Sequence, residues 1–181
     1  MRLFNKFSFT IFLLFSFTIC YGNYFQQEVK YSIQVSLNDK THVLSANETL
    51  IYKNNSPAIL KEMYFHLWPS AYRNKNTFLA NEIFLSGDDR MLSAADGDLG
   101  TIDSLDFKVN GEKVKWYVLE DTVDVCKIIL NNPLNPGDSI SISTPFRVKI
   151  PAAAESIRSS PLKKISFARK VFLFRYAEGH K

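Results

Sequence analysis

Hydrophobic and polar residues alternate in several separate segments of this chain, with the period of two that is typical of strands with one buried face. Between residues 28 and 37 every odd position is apolar and every even position is polar. Similar alternation predicts strands over residues 42–53 and 139–150, and Pro151 ends the second of these. These three strands are the clearest elements of the pattern.

A third strand in chain order is predicted over residues 60–68. It contains no glycine and becomes apolar on both faces near its end, which is typical of a central strand covered on both sides. Pro69 follows, and proline has no N–H to donate to a β ladder. We therefore expect His66 and Trp68 to share one face of a buried strand and to have a structural role, with the Trp68 ring buried.

A hairpin is predicted around Asn110-Gly111, because this dipeptide adopts the positive backbone angles that a two-residue β-turn needs. Its strands would cover residues 104–109 and 112–119. A further strand is predicted over residues 122–130, and Pro136-Gly137 marks the turn before the last one.

Residues 70–103 do not alternate. Four apolar residues near their centre have helical spacing and predict a short helix after Asn76 or Thr77: Phe78, Leu79, Ile83 and Phe84. The remainder reads as a long acidic loop, and excursions of this length inside a compact domain are more often functional or mobile than mere connectors.

Seven or eight short strands with turn signals between them indicate an all-β fold. We expect an antiparallel β-sandwich or saddle-like double sheet with one long loop that carries a short helix. A length of 181 residues with 46% hydrophobic content suits one domain with its own core.

The N-terminus has the composition of a secretory signal. Arg2 and Lys6 precede an apolar run over residues 7–19, which is shorter than the roughly 20 residues that a membrane span needs. We predict that residues 1–22 are removed by a cut between Gly22 and Asn23, which leaves no membrane span. The mature chain would be periplasmic, on the cell surface or extracellular. An uncleaved anchor is the alternative.

The positive charge is concentrated at the C-terminal end. Residues 151–181 hold seven Lys or Arg and two acidic residues, so the rest of the chain is nearly neutral despite the net charge of +4. With no basic stripe on this body we expect no nucleic-acid partner. Residues 152–181 lack strand alternation, and they fit a basic amphipathic helix poorly because residues 171–174 form a continuous apolar block with no assigned partner strand.

No self-sufficient catalytic group is visible. The histidines His42, His66 and His180 form no zinc-binding pair, and Glu62 lies about 13 Å from His66 along a strand, too far to share an ion. Asp96, Asp98 and Asp103 are a candidate calcium cage, although the loop lacks the ligand spacing of a dedicated site, and a solvated acidic loop is the plainer interpretation. Cys126 lies in an alternating segment and is interpreted as a small buried apolar residue.

Three stretches carry a resemblance to a known family: residues 24–29, 65–72 with the sequence Phe-His-Leu-Trp-Pro-Ser-Ala-Tyr, and 102–111. From residue 23 to 151 the chain resembles the N-terminal domain of exported zinc aminopeptidases of the aminopeptidase N family (peptidase family M1), especially those of Bacteroidetes. The resemblance implies a saddle-like β domain that packs against a separate thermolysin-like catalytic domain.

In that family the catalytic domain acts on peptides and carries HExxH and a downstream Glu as zinc ligands. Neither HExxH nor the family's exopeptidase glycine motif occurs here, so no catalytic or metal residue is assigned and zinc is expected only in full-length members. The change of pattern after Pro151 suggests that residues 152–181 are the end of a truncated or frameshifted chain. The alternative function is a free-standing exported β-sandwich that binds a glycan, peptide or partner protein through the acidic loop, Trp68 and Tyr72.

Overall fold

The computed structural model describes residues 26–120, 122–151 and 172–175. The predicted signal and its cleavage site at Gly22 and Asn23 lie outside these residues, as do most of residues 152–181. In the part of the chain that it describes, the structure confirms an all-β fold of antiparallel strands in two sheets. No helix in this part is long and apolar enough to cross a membrane.

Ten strands and a few short helices make up the described chain. In chain order the strands are β1 (Glu28–Asn38), β2 (Val43–Lys53), β3 (Leu60–Leu67), β4 (Thr101–Asp103), β5 (Lys108–Val109), β6 (Glu112–Lys113), β7 (Lys115–Val118), β8 (Val125–Leu134), β9 (Ser139–Lys149) and β10 (Phe172–Arg175). The α-helices are α1 (Phe78–Leu85) and α2 (Arg90–Ser93), and 3-10 helices cover Trp68–Tyr72 and Asp96–Asp98.

The larger sheet has the order β1-β2-β9-β5-β6, with β4 pairing to the other end of β9. The long pairs β1–β2 and β2–β9 run without a register break over eleven residues of β2. The smaller sheet has the order β10-β3-β8-β7. The segment over residues 60–67, which was predicted as a central strand from its apolar character, thus forms the central strand β3 of the smaller sheet.

The core lies between the two sheets, and the alternation of β2, β3, β8 and β9 explains it, because every second residue of each strand points inward. Its largest fully buried side chains include Tyr52, Phe65, Phe107 and Phe146. The Phe107 ring packs against Phe65 on β3 and Trp116 on β7. Its centroid lies 5.5 Å from that of Phe65 and 5.4 Å from that of Trp116. Cys126 is fully buried as expected, and burial raises the pKa of its thiol to about 12.

The predicted hairpin exists but is much shorter than expected. Asn110 and Gly111 have φ angles of 51° and 85°, as the turn requires, yet only β5 and β6, two residues each, pair across it. At Val114, which is buried, the chain leaves the larger sheet, and β7 pairs with β8 in the smaller one. The pattern does not show this bend, because residues 112–119 contain no glycine, proline, asparagine or aspartate to mark it.

Two further strands differ from expectation at their ends. β3 ends at Leu67, one residue early, and Trp68 begins a 3-10 helix instead. The expectation of a buried Trp68 is wrong, since the residue is 38% exposed. β8 begins at Val125 and runs through Pro133 to Leu134, so it starts three residues later and ends four residues later than the predicted strand over residues 122–130.

Residues 70–103 are also more ordered than a plain loop, since they hold α1, α2, a 3-10 helix and β4. The predicted helix after Thr77 is confirmed as α1. Residues 172–175, for which the sequence offered no partner, form β10 and pair with β3 from Tyr64 to Leu67.

Candidate functional site

The sequence Leu-Trp-Pro-Ser at the end of β3 builds a tight corner. The Leu67 N–H donates a hydrogen bond to the Asp124 carbonyl at 2.6 Å, and Pro69 then stops the ladder and opens a 3-10 helix, where a missing N–H costs nothing. Pro69, Ser70 and Ala71 are buried in this turn. The corner is therefore a packed structural feature rather than a free loop.

Thr77 ties α1 to this corner. Its hydroxyl donates to the Ala71 carbonyl at 2.7 Å and accepts the Ala80 N–H at 3.2 Å, so one side chain caps the helix and fixes it to the preceding turn. Thr77 is 5% exposed. The position of α1 next to the end of β3 follows from these two bonds.

Tyr72 closes the other side of the corner. Its carbonyl accepts the Gly100 N–H at 3.0 Å, and the segment after Asp98 passes so close that a Cβ on Gly100 would lie 3.0 Å from the Tyr72 Cβ. Burial raises the pKa of the Tyr72 hydroxyl. The structure thus gives Tyr72 a packing contact with the loop.

His66 and Trp68 do share a face. Their rings stack with centroids 5.7 Å apart and planes 25° apart. The His66 Nδ1 lies 3.7 Å from the nearer Asp124 carboxylate oxygen, which is too long for a hydrogen bond, and Nδ1 is buried with no hydrogen-bond partner in the described part. A buried ring nitrogen without a partner is a group that a ligand or a water can satisfy.

A cavity of about 610 Å³ opens beside these residues. The end of β3, α1 and the turn between β7 and β8 line it. Its described apolar walls include Trp68, Phe78 and Leu79, and its ionisable groups are His66, Glu82, Asp124 and Tyr64, with no Lys or Arg among the described lining residues. The cavity therefore combines aromatic walls with two carboxylates.

Three large apolar side chains of α1 are exposed near this cavity, together with Asn81 and Glu82. Phe78 and Leu85 are each 84% exposed and Phe84 is 53% exposed, while Ala80 is the helix residue that is buried. Of the four apolar residues that predicted the helix, Phe78 and Phe84 are exposed, and Leu79 and Ile83 are half-buried. Exposed large apolar side chains grouped on one helix are typical of interaction sites in soluble proteins.

Glu62, which the sequence places too far from His66 to share an ion, bonds to Lys127 and Tyr64 instead. Its carboxylate accepts bonds from Lys127 Nζ at 2.6 Å and from the Tyr64 hydroxyl at 2.7 Å. The hydrogen bonds from Lys127 and then Tyr64 lower the pKa of Glu62, and the ammonium also lies 5.4 Å from the Tyr64 ring centroid. This group is an ion pair between β3 and β8, and the local sequence does not predict it because β8 lies far from β3 along the chain.

Glu48 is the other unexpected feature. It interrupts the apolar face of β2 in the sequence, and the structure places it in the core, 3% exposed. Burial raises its pKa to about 7. Among the described residues, no group of three or more His, Cys, Asp or Glu side chains is placed to hold a metal ion, and Asp96, Asp98 and Asp103 form no such group.

Comparison with known proteins gives a limited result. No protein-family model matches the sequence, and no curated protein matches it. Among solved structures, the chain is similar to an M1 zinc metallopeptidase from Deinococcus radiodurans at 15% identity, with a TM-score of 0.41 over 67% of this chain and 20% of the other.

A mutant of that enzyme bound to a Tyr-Ser-Ala substrate gives the same values. A two-domain M1 zinc metallopeptidase mutant bound to L-tryptophan matches at 15% identity with a TM-score of 0.40. The chain spans about a fifth of the length of these metallopeptidases.

Proposed function

We propose that this chain is the non-catalytic N-terminal β domain of an exported zinc aminopeptidase of the M1 type, as found in Bacteroidetes, and that its role is to pack against a zinc-binding catalytic domain. The HExxH motif is not among the 181 residues, so the zinc, which polarises the peptide carbonyl and activates a water, belongs in that other domain. The chain by itself is then inactive.

The observation that carries this proposal is the exposed apolar surface of α1. Phe78 begins α1 and lines the same cavity as Trp68, beside the corner that contains the most specific part of the sequence resemblance, and Phe84 and Leu85 continue the exposed apolar residues to the other end of the helix. Thr77 holds the helix in that place through its bond to Ala71. An apolar helix surface that is held in a fixed position is suited to be covered by a second folded domain.

The first test is enzymatic. The purified chain, with and without added zinc, is incubated with chromogenic aminoacyl substrates, and we expect no release of the chromogenic group. Zinc-dependent release that survives repurification would contradict the proposal. An independent check is to read the coding DNA beyond the last codon in all frames. We expect a frame that encodes HExxH. A clean intergenic region would count against a catalytic domain encoded next to this chain.

The second test concerns the surface. When the chain is co-expressed with the HExxH-bearing polypeptide, the two should co-purify, and Leu85→Asp should reduce the yield of complex at least tenfold. Ile59→Asp is a matched control, because Ile59 is also an exposed apolar residue, at 55%, but lies in the turn between β2 and β3. Equal loss with both variants would show that the α1 surface is not the interface.

Export rests on the N-terminal sequence, where Arg2 and Lys6 precede the apolar run over residues 7–19. N-terminal sequencing of the protein recovered outside the cytoplasm should begin at Asn23. An N-terminus that still carries residues 1–22 would favour an uncleaved anchor.

A second function is favoured by the cavity, namely a free-standing exported binding module. Of a glycan, a peptide and a partner protein, the lining fits a peptide with a free N-terminus best. Asp124 and Glu82 would attract its ammonium, and Trp68 and Phe78 would contact an apolar first side chain.

Titration of Leu-Phe amide against Trp fluorescence tests this function. We expect saturable binding that weakens at least fivefold in Asp124→Asn, with N-acetylated Leu-Phe amide as the uncharged control. Equal binding of both peptides would contradict recognition of the ammonium.

A further inference from the structure

The Asp124 carboxylate lies beside the corner that ends β3, and no Lys or Arg of the described chain pairs with it. The backbone carbonyl of Asp124 accepts the Leu67 N–H at 2.6 Å, so the residue is fixed at this point of the fold. Its side chain is 27% exposed, and the His66 Nδ1, at 3.7 Å, is too far away for a hydrogen bond. A carboxylate that is partly withdrawn from water is stabilised by a nearby cation.

An exposed aromatic ring lies close to this carboxylate. Trp68 is 38% exposed and stacks on His66 with ring centroids 5.7 Å apart, and His66 in turn adjoins Asp124. Trp68 and Asp124 both line the cavity of about 610 Å³. An indole ring together with a carboxylate is suited to bind an arginine side chain, because a guanidinium stacks on aromatic faces and forms paired hydrogen bonds with carboxylates.

The charges around the cavity favour a cation over an anion. Glu82 of α1 also lines it, and no Lys or Arg is among its described lining residues. Lys127 Nζ lies 5.4 Å from the ring of the lining residue Tyr64, but it is paired with Glu62 at 2.6 Å. A cleft that is lined by carboxylates concentrates ions of the opposite sign.

The apolar walls favour a cation that is carried on an aliphatic stem. Phe78 and Leu79 line the cavity together with Trp68. The stem of a long basic side chain packs on apolar surface of this kind while its charged head reaches a polar group. Arginine fits these walls better than lysine, because its guanidinium is planar and more weakly hydrated than an ammonium.

The cavity adjoins the exposed apolar residues of α1. Phe78, at the start of the helix, lines the cavity and is 84% exposed, and Phe84 and Leu85 are exposed at the other end of the helix. A partner that covers α1 would therefore also cover the mouth of the cavity. Arginine is one of the residue types that most often anchor a protein–protein interface by filling a pocket.

We propose that the cavity receives an arginine side chain of the partner that covers α1, with the guanidinium stacked on Trp68 and paired with Asp124. Glu82 adds to the attraction from the side of α1. The inference rests on the proposed function, because the partner on α1 supplies the arginine. It assigns that partner an apolar surface with one projecting arginine.

A pair of blocked dipeptides tests the cation. N-acetyl-Phe-Arg amide has no α-ammonium group, and N-acetyl-Phe-citrulline amide has nearly the same shape without the charge. Each is titrated into the full chain while the tryptophan indole N–H signals are followed by NMR. We expect the arginine peptide to bind at least fivefold more tightly, and Asp124→Asn with Glu82→Gln to abolish the preference. Asp96→Asn with Glu112→Gln is the matched control, because it neutralises two exposed acids elsewhere, and it should keep the preference.

Several results would overturn the inference. They are equal binding of the two blocked peptides, binding of neither, a preference that survives Asp124→Asn with Glu82→Gln, or an equal loss in the control variant. Binding of Leu-Phe amide without binding of N-acetyl-Phe-Arg amide would also overturn it and would assign the cavity to a peptide N-terminus. If Asp124→Asn lowers the melting temperature, Glu82→Gln alone is used, and it should reduce the preference at least twofold.

Complex formation separates this inference from the proposed function. In the complex with the HExxH-bearing polypeptide, Asp124→Asn with Glu82→Gln should weaken binding at least tenfold, and the affinity that remains should depend less on salt concentration than that of the parent. A complex that is lost on Leu85→Asp but unchanged in the double variant would overturn the inference and leave the proposed function standing. A parent chain that forms no complex would overturn both.

Discussion

Glu48 on β2 lies directly opposite Thr144 on β9, and both residues are buried between the sheets. The Thr144 hydroxyl donates to the Pro145 carbonyl at 2.9 Å and accepts the Asp106 N–H at 3.0 Å, so its proton is not directed at Glu48. The Glu48 Oε1 has no hydrogen-bond partner among the described residues. An ionised Glu48 is therefore destabilising in this core.

The stability of the fold should consequently fall as pH rises through the range of Glu48. Burial raises its pKa from the ordinary value of 4.5 to about 7. Below about pH 4.5 the carboxyl is protonated in both folded and unfolded chains and costs nothing. Between about pH 4.5 and 7 only the unfolded chain ionises, so its free energy falls relative to that of the folded chain. Above about pH 7 the free energy of unfolding is lower by the full amount, about 3 kcal/mol.

Replacing the carboxyl removes this cost. Glu48→Gln should raise the unfolding free energy at pH 8 and flatten its fall between about pH 4.5 and 7, as measured by urea denaturation at several pH values. Glu112→Gln, at an exposed position on β6, is the control and should leave the slope unchanged. If Glu48→Gln kept the slope of the parent, a different group would be responsible.

Sequence patterns predicted the long strands well because β1, β2 and β9 each have one face toward the core. They failed where long-range pairing decides the structure. The bend at Val114 is invisible because residues 112–119 contain no turn residue such as glycine or proline, and the pairing of β10 with β3 joins segments about a hundred residues apart.

The site was predicted in part. The aromatic stretch, the Pro69 corner and the stacked pair of His66 and Trp68 follow from local sequence. The cavity does not, because α1 and the β7–β8 turn, which line it with Glu82 and Asp124, reach the end of β3 only in the folded chain. The alternation placed Trp68 in the strand, but β3 ends one residue earlier, at Leu67, because Pro69 cannot donate to the ladder.

Gly100 is required by a close approach of two chain segments. A Cβ at this position would lie 3.0 Å from the Tyr72 Cβ and 3.1 Å from the Pro151 Cδ, and neither atom is the end of a flexible side chain. We expect Gly100→Ala to cost about 1–3 kcal/mol through overpacking. Gly97→Ala is a matched control, because a Cβ there would meet nothing within 4 Å. Equal melting temperatures for the two variants would contradict this packing.

The cost of removing an aromatic ring should follow its burial. Phe107 is 1% exposed and packs on Phe65 and Trp116, so Phe107→Ala should cost about 3–5 kcal/mol. Trp68 is 38% exposed, and Trp68→Ala should cost less than about 2 kcal/mol. Chemical denaturation of both variants checks the order. A Trp68 variant as unstable as the Phe107 variant would return this ring to a purely structural role.

Residues 172–175 should limit self-association rather than promote it, although their apolar sequence alone suggests a sticky tail. As β10 they pair with β3 from Tyr64 to Leu67, and without them this stretch of β3 has an open edge in the described structure. An open, apolar edge strand recruits other chains. A chain ending after residue 171 should therefore associate more than a chain ending after Arg175. Both keep the basic segment 152–170, so charge is matched apart from Arg175.

Light scattering and hydrophobic-dye fluorescence should both rise for the shorter chain, because the β3 backbone and the apolar surface under it become available to neighbours. The chain ending after Arg175 should match the full chain. Equal scattering from the two truncated chains, with equal protection of the β3 amides from hydrogen exchange, would show that β10 does not occupy the edge of β3.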